Sequence, residues 1–323
     1  MDFLSFLSSS QKTANIVFTD HCIRYLELKQ TSPLLVSSMA ERRLPDGVIK
    51  GGRIVDEETL LFILEECIDE WKIKRKPVRY VVPDPFVILR KVSIPSDIRE
   101  DEVEGYLFLE IGSSIHLPFE DPVFDYSLLE SDHEKQEVLL VASQEEIVDG
   151  YKRLLEEVKL KPVAADIAPL ALYRAVLHEK EASPNEHTML LHMDEQLLTI
   201  SIFHKHEPIF TRPIPLEGPE KDDEVVESLP VDLLGDTLNE IEKVMNFYRY
   251  SLNKGEQSVS KTIVSGDHPR LIELRQQLQE RISIPVELLS LRNVTTFNDE
   301  KIQAGYAIAF GLALKEVQLS ETY

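Results

Sequence analysis

One pattern occurs twice in this chain and limits what it can fold into. Three short runs rich in β-branched and aromatic residues, separated by polar breaks, lie at 15–19, 23–30 and 34–42, and three more at 189–193, 197–203 and 208–214. Runs of that length and composition read as strands, and three in a row as a meander. An apolar face of such a sheet has to be covered by another layer, and helical periodicities follow each meander. Leu60, Leu64, Cys67, Ile68 and Trp71 recur at steps of three and four, as do Leu234, Leu238, Ile241, Met245, Tyr248 and Leu252, each set forming one apolar stripe. With 323 residues, 43% of them hydrophobic, the chain exceeds one small core, which predicts an α/β protein of two related lobes.

Between the meanders the pattern restarts. Residues 78–82 read as a buried strand stopped by Pro83 and Pro85, and 86–94 as a further strand. An acidic helix spans about 99–112, strands follow near 123–129 and 137–142, and Ile147, Val148, Tyr151, Leu154, Leu155 and Val158 line one face of another helix. This block, 84–160, is expected to be an inserted small α+β subdomain. The first lobe then comprises 13–83 plus 161–187 and the second 188–317, with tails at 1–12 and 318–323. Residues 219–228, acidic and without periodicity, read as a mobile loop. Late in the chain, 261–265 reads as a strand, Gly266 as a turn, 269–281 as a helix, and 303–316 as a closing helix whose small residues permit close packing.

Charge narrows the partners. Lys and Arg number 35 against 57 Asp and Glu, a formal charge of −22, which repels nucleic acid and anionic lipid. The apolar runs are far shorter than the roughly 20 residues that span a bilayer. Residues 1–10 lack the features of a secretory signal, and Cys22 and Cys67 suit two buried thiols better than a disulfide framework. These features predict a cytoplasmic protein without membrane insertion of its own.

Four segments resemble the PilM family of type IV pilus assembly proteins, which has the actin-like fold, and they run in that family's order. They are Ile23-Arg24-Tyr25-Leu26-Glu27-Leu28; the block 88–126 with Ile94-Pro95, Glu102, Glu110, Ile115, Pro118-Phe119 and Asp125-Tyr126, continued by 137–142; the segment 239–248; and 304–314. The block 88–126 resembles the subdomain called 1C. The resemblance implies an actin-like two-lobed fold with an inserted 1C-type subdomain, and a partner, PilN, whose cytoplasmic tail binds between the first lobe and 1C. Within 1C it points to Pro95, Tyr106, Glu110, Ile115, Pro118, Phe119 and Tyr126 as partner-binding residues.

The resemblance also locates the family's nucleotide turns, where Asp-x-Gly and hydroxyl residues let backbone amides cradle phosphate. In the first lobe those places hold Val17 and Thr19; Asp20 lies nearby in a shifted position, and the metal role is not carried onto it. In the second lobe they hold His192 and Asp194, and the glycine pair of the adenosine strand is reduced to Gly266-Asp267. A carboxylate facing phosphate costs about 1 kcal/mol or more even with surface-like screening. The expectation is therefore a pseudo-ATPase without catalytic residues, metal or cofactor, ATP and Mg being disfavoured. It would serve as a cytoplasmic platform of pilus assembly, or of a related DNA-uptake or secretion system, in contact with a PilN-like single-pass membrane protein and other assembly components. An ATP-binding actin-like protein that polymerises at the membrane is the alternative, and a sugar-kinase-type enzyme a third reading.

Other constellations carry less. Residues 47–52 have the glycine spacing of a phosphate loop, but Arg53-Ile54 stands where Lys and Ser or Thr are needed. His187, His192, His204 and His206 lack zinc-site spacing and a Cys partner. Asp20-His21 has no nucleophile in an elbow context. The apolar residues of 1–7 are too few to form a stable helix alone.

Overall fold

The computed structural model describes residues 13–31, 34–129, 135–216, 233–296 and 301–315. The tails expected at 1–12 and 318–323 and the loop expected at 219–228 lie outside the described residues. The chain opens with β1 (Ala14–Phe18), β2 (Cys22–Thr31), β3 (Leu34–Arg43), β4 (Ile49–Lys50), β5 (Arg53–Ile54), α1 (Glu57–Trp71) and β6 (Pro77–Val82). Next come β7 (Val87–Pro95), α2 (Val103–Glu110), β8 (Pro122–Leu128), β9 (Lys135–Gln144), α3 (Glu145–Glu157), β10 (Lys161–Ile167) and α4 (Ala168–His178). The remainder is β11 (Thr188–Met193), β12 (Leu197–His204), β13 (Glu207–Pro215), α5 (Leu233–Asn246), β14 (Lys261–Gly266), α6 (Leu271–Arg281), β15 (Val286–Leu288), β16 (Thr295–Thr296) and α7 (Ala307–Ala313).

Two compact units result. One comprises Met1–Pro83, Asp149–Glu179 and Leu291–Tyr323, the other Asp84–Val148 and Lys180–Ser290. Each holds one mixed sheet of the same plan. In the first the order is β10-β6-β1-β2-β3-β16, in the second β13-β12-β11-β14-β15. The meanders are antiparallel, and β6 joins β1 in parallel as β14 joins β11. The repeat read from the sequence is thus a repeat of topology. Parallel neighbours need a crossover connection, supplied by α1 in the first unit and α5 in the second.

In the first unit α1 starts at Asp56, whose carboxylate accepts the Thr59 amide at 3.0 Å, a cap worth about 1 kcal/mol. It ends at Lys72 in the left-handed conformation, φ 58°, and buries Leu60, Leu64, Cys67 and Ile68, about 2 kcal/mol for each leucine. The pair β10 and α4, over 161–178, was not read from the sequence: Pro162 conceals a strand whose partner β6 is distant in sequence. Helix α7 is buried on every side and packs on α4 and β1. A Cβ on Gly311 would lie 1.7 Å from the Ala171 carbonyl oxygen, so only glycine permits that approach. The closing segment therefore differs from expectation: it was placed in the second lobe, yet α7 and β16 complete the sheet and core of the first unit.

In the second unit the core gathers Met189, Leu191, Leu198, Ile200, Leu234, Leu238, Ile241 and Leu274 between sheet and helices. The separate sheet β7-β9-β8 is antiparallel, and Ile94, Val103, Leu107, Ile115, Val138 and Leu140 pack between it and α2. Expectation set 84–160 apart as one insertion. Residues Asp84–Val148 cluster instead with Lys180–Ser290, β7 packing on β13, while Asp149–Glu179 belongs to the first unit. There Tyr151 packs on Phe18, with ring centroids 5.1 Å apart.

Candidate functional site

The hairpin turn between β1 and β2 is closed by its own hydroxyl. The Thr19 amide donates to the Cys22 carbonyl at 2.9 Å. The Cys22 amide donates to Thr19 Oγ1 at 3.1 Å, and that oxygen lies 3.3 Å from His21 Nδ1. Val17 is buried within β1, opposite Arg24 of β2. Asp20 points elsewhere: its carboxylate accepts the backbone amides of Gly51 and Gly52, the latter at 2.8 Å. The glycine-spaced loop over 47–52 therefore does offer amides to an anion, and the anion is a side chain of the same unit. Tyr151 donates its hydroxyl to the Gly52 carbonyl at 3.0 Å and fixes that loop from the other side.

The matching turn between β11 and β12 is closed by a carboxylate. Asp194 Oδ1 accepts the amides of Gln196 at 2.8 Å and Leu197 at 2.7 Å, and the Asp194 amide donates to the Leu197 carbonyl at 3.0 Å. These amide donors are engaged inside the turn. A second acid stands nearby: Thr199 donates its hydroxyl to Asp84 Oδ2 at 2.6 Å, while Asp84 Oδ1 is buried without a hydrogen-bond partner. Burial pushes the Asp84 carboxyl up to about 6, with Asp194 adding to the rise and the Thr199 hydrogen bond opposing it. His192 is buried in β11, in register with Thr199.

Gly266 is needed for packing. Its φ is +124°, and a Cβ there would sit 2.0 Å from the Met193 carbonyl oxygen, which itself accepts the amides of Asp267 and His268 at 3.2 Å each. The histidines do not converge as metal ligands. The His187 and His204 rings stack with centroids 3.9 Å apart, and His187 Nδ1 meets the Tyr248 hydroxyl at 2.6 Å. Burial and the neighbouring His204 hold His187 below its usual range. Among the described residues no group of three or more His, Cys, Asp or Glu is placed to hold a metal ion.

The seven residues singled out in the block 88–126 separate into two kinds. Ile115 is in the core, and Tyr106 and Tyr126 pack against it. Pro95 and Pro118 are exposed and Phe119 is half-buried. Glu110 ends α2: its carboxylate accepts the hydroxyls of Ser113 at 3.3 Å and of Ser114. Sequence reasoning passed over Phe108 and Leu109, which are 71% and 75% exposed on the same helix. The signal was present, because Tyr106-Leu107-Phe108-Leu109 is apolar on all sides of a helix that covers only one sheet face.

The sequence profile of the family described as type IV pilus assembly protein PilM matches residues 16–234, well over half of the chain. The chain belongs to the PilM family. A solved PilM–PilN type IV pilus biogenesis complex has a chain with TM-score 0.77 and 19% identity to this PilM family member, covering 94% of this chain and 98% of that one. The ethanolamine utilization protein EutJ from Carboxydothermus hydrogenoformans gives 0.52 at 11% identity, over 94% and 89%. The cytoplasmic domain of EpsL, an inner-membrane component of the type II secretion system of Vibrio cholerae, gives 0.50 at 12%, over 94% and 95%. Among curated protein sequences no match is found. The fold is the α/β actin-like fold of the PilM family. Among the described residues no helix is long and apolar enough to cross a membrane.

Proposed function

We propose that this PilM family member is a non-catalytic platform of type IV pilus assembly that works at the cytoplasmic face of the inner membrane. It would be held there by the N-terminal tail of a PilN-like membrane protein. The observation that carries the non-catalytic part is the Asp194 carboxylate on the Gln196 and Leu197 amides. A phosphate at that turn would have to displace a tethered anion from two charge-assisted hydrogen bonds and remain near Asp84. The residues present thus do not fit Mg-ATP. Calorimetric titration with Mg-ATP is expected to give no saturable binding up to millimolar concentration; micromolar, Mg-dependent affinity or turnover would overturn the reading.

The partner rests on family membership and on the likeness to the PilM–PilN complex. Here the tail is assigned to the segment Asp84–Val148, where Phe108 and Leu109 stand exposed and Pro95, Pro118 and Phe119 supply further surface. A disordered tail that orders on binding gives up several kcal/mol of contact energy, so affinity on the order of micromolar is expected. N-terminal tail peptides of a PilN-like membrane protein from the same genome should lose at least about tenfold in affinity on Phe108→Ser with Leu109→Ser, at unchanged melting temperature. Unchanged binding in the folded variant would remove that face from the site.

A further inference from the structure

Helix α5 does not continue to Leu252 as an α-helix. From Phe247 to Leu252 it widens into a π-helix, closed by the Asn253 amide and side-chain amide on the Tyr248 carbonyl at 3.2 and 2.8 Å. Runs of π-helix are rare and concentrate at functional positions. Here the wide turn sends Tyr248 inward, 1% exposed, where its hydroxyl meets His187. Its neighbours are left outside: Phe247, Tyr250 and Leu252 are 44%, 60% and 45% exposed. Phe247 rests against Phe210 of β13, with centroids 5.7 Å apart, and the Arg249 guanidinium lies 5.1 Å from the centre of the Tyr250 ring. The aromatic groups are thus braced in place rather than splayed.

The formal net charge is −22, and within it the stretch 243–255, bounded by Glu242 and Glu256, contains Lys243, Arg249 and Lys254 and no acidic residue. Lys243 pairs with Glu240 at 2.7 Å, whereas Arg249 and Lys254, both exposed, make no ion pair among the described residues. The match to the family profile ends at residue 234, so this surface lies beyond it. Exposed Tyr and Arg are residue types that dominate binding energy at protein interfaces, and Phe is enriched there. Two cations at their margin that make no ion pair among the described residues favour an acidic partner and speed its approach.

We propose that Phe247, Tyr250 and Leu252, flanked by Arg249 and Lys254, dock an acidic segment of another protein that carries apolar side chains. A nucleic acid would meet the same cations, but its unbroken run of phosphates is opposed by the chain's net charge of −22 more strongly than a short acidic segment interleaved with apolar side chains is. The proposal uses neither Phe108 nor Leu109, so the tail assignment stands or falls on its own experiment.

The probe is a fluorescein-labelled peptide of four Glu-Glu-Phe repeats, followed by anisotropy on the full chain. Saturable binding is expected on the order of 10–100 µM, weakening with salt. The Arg249→Glu, Lys254→Glu variant should lose at least about tenfold, and Tyr250→Ser should lose affinity with both cations in place. Reversal of exposed charges elsewhere, Lys152→Glu with Arg153→Glu, should leave binding unchanged. Equal loss in that control, or equal binding of a Lys-Lys-Phe repeat, would overturn the proposal as diffuse attraction. Tighter binding of oligo-dT through Arg249 would reassign the face to nucleic acid. Concentration-dependent self-association abolished by Arg249→Glu would reassign it to a second copy of this chain. If Arg249→Glu lowers the melting temperature, Arg249→Ala decides: full affinity in that variant overturns the assignment.

Discussion

The two β-hairpin turns that head the two sheets have the same backbone task and solve it with different chemistry. Between β1 and β2 the Thr19 hydroxyl takes the Cys22 amide, so the turn is closed by a neutral group. Between β11 and β12 the Asp194 carboxylate takes two amides, and a second, buried carboxyl stands close by on Asp84. Strand register is regular through both hairpins, Asn15 to Phe18 against Ile23 to Leu26 and Thr188 to Met193 against Leu198 to Phe203. The Cys22 amide of one turn and the Gln196 and Leu197 amides of the other are therefore engaged from within while the sheets stay intact. Two hairpins of one topology can thus close their turns with a neutral or a charged side chain without disturbance of their strands.

The largest expected effect sits behind the second turn. In Gly266→Ala the new Cβ meets the Met193 carbonyl at 2.0 Å, and neither backbone can yield without breaking the β11–β14 pairing. Destabilisation of at least about 3 kcal/mol is expected. Gly51→Ala, at φ +55° with no atom within 4 Å of its Cβ, should cost about 1 kcal/mol. Calorimetric unfolding, with the two units followed separately if they melt separately, checks the ranking; similar losses at both glycines would show that the second turn is not held from behind.

Removing the caps comes next. Asp194→Ala strips two amides of a charged acceptor and should cost about 2 kcal/mol, and Thr19→Ala, which loses a neutral acceptor, about 1 kcal/mol. Denaturant melts of the two variants test the order. A Thr19→Ala loss as large as that of Asp194→Ala would mean that the hydroxyl and carboxylate caps are equivalent, and the contrast between the turns would fail.

Much of this was legible in the sequence because it is local. Period-two and period-three-to-four patterns placed both meanders and most helices within a few residues. What escaped depends on pairing over long distances. Asp20 finds Gly51 and Gly52, and Asp84 finds Thr199, only after the sheets form. Strand β10 is defined by its parallel partner β6, and α7 was assigned to the neighbouring lobe because no local signal says which sheet a helix covers. The π-turn at 247–252 was read as plain helix, since Tyr248 and Leu252 keep helical spacing whichever way the turn is wound. In the block 88–126 residue type could not separate Ile115, in the core, from Pro118, on the surface.

The smallest effect is also the most specific to the second turn. Asp84 is an acid whose carboxyl is raised from its usual 3.8 to about 6, first by burial and then by Asp194. A raised value means that the folded chain holds this proton more tightly than the unfolded chain. The associated stability is therefore complete below pH 3.8 and is lost as pH rises through about 6; above that the folded state carries a buried carboxylate with one oxygen unpartnered. Asp84→Asn has no such titration. The variant should gain stability relative to the parent as pH rises from 4 to 8, while acid effects of other carboxylates act on both proteins and cancel in the difference. Asp194→Asn, with Asp84 intact, should move the step to lower pH, because the neighbouring charge that raises it is gone. Carbon-detected NMR of the Asp84 carboxyl reads the midpoint directly. A midpoint near 3.8 in the parent, or one that does not move in Asp194→Asn, would show that the two acids do not sense each other, leaving the second turn with a single carboxylate cap and no coupled acid pair.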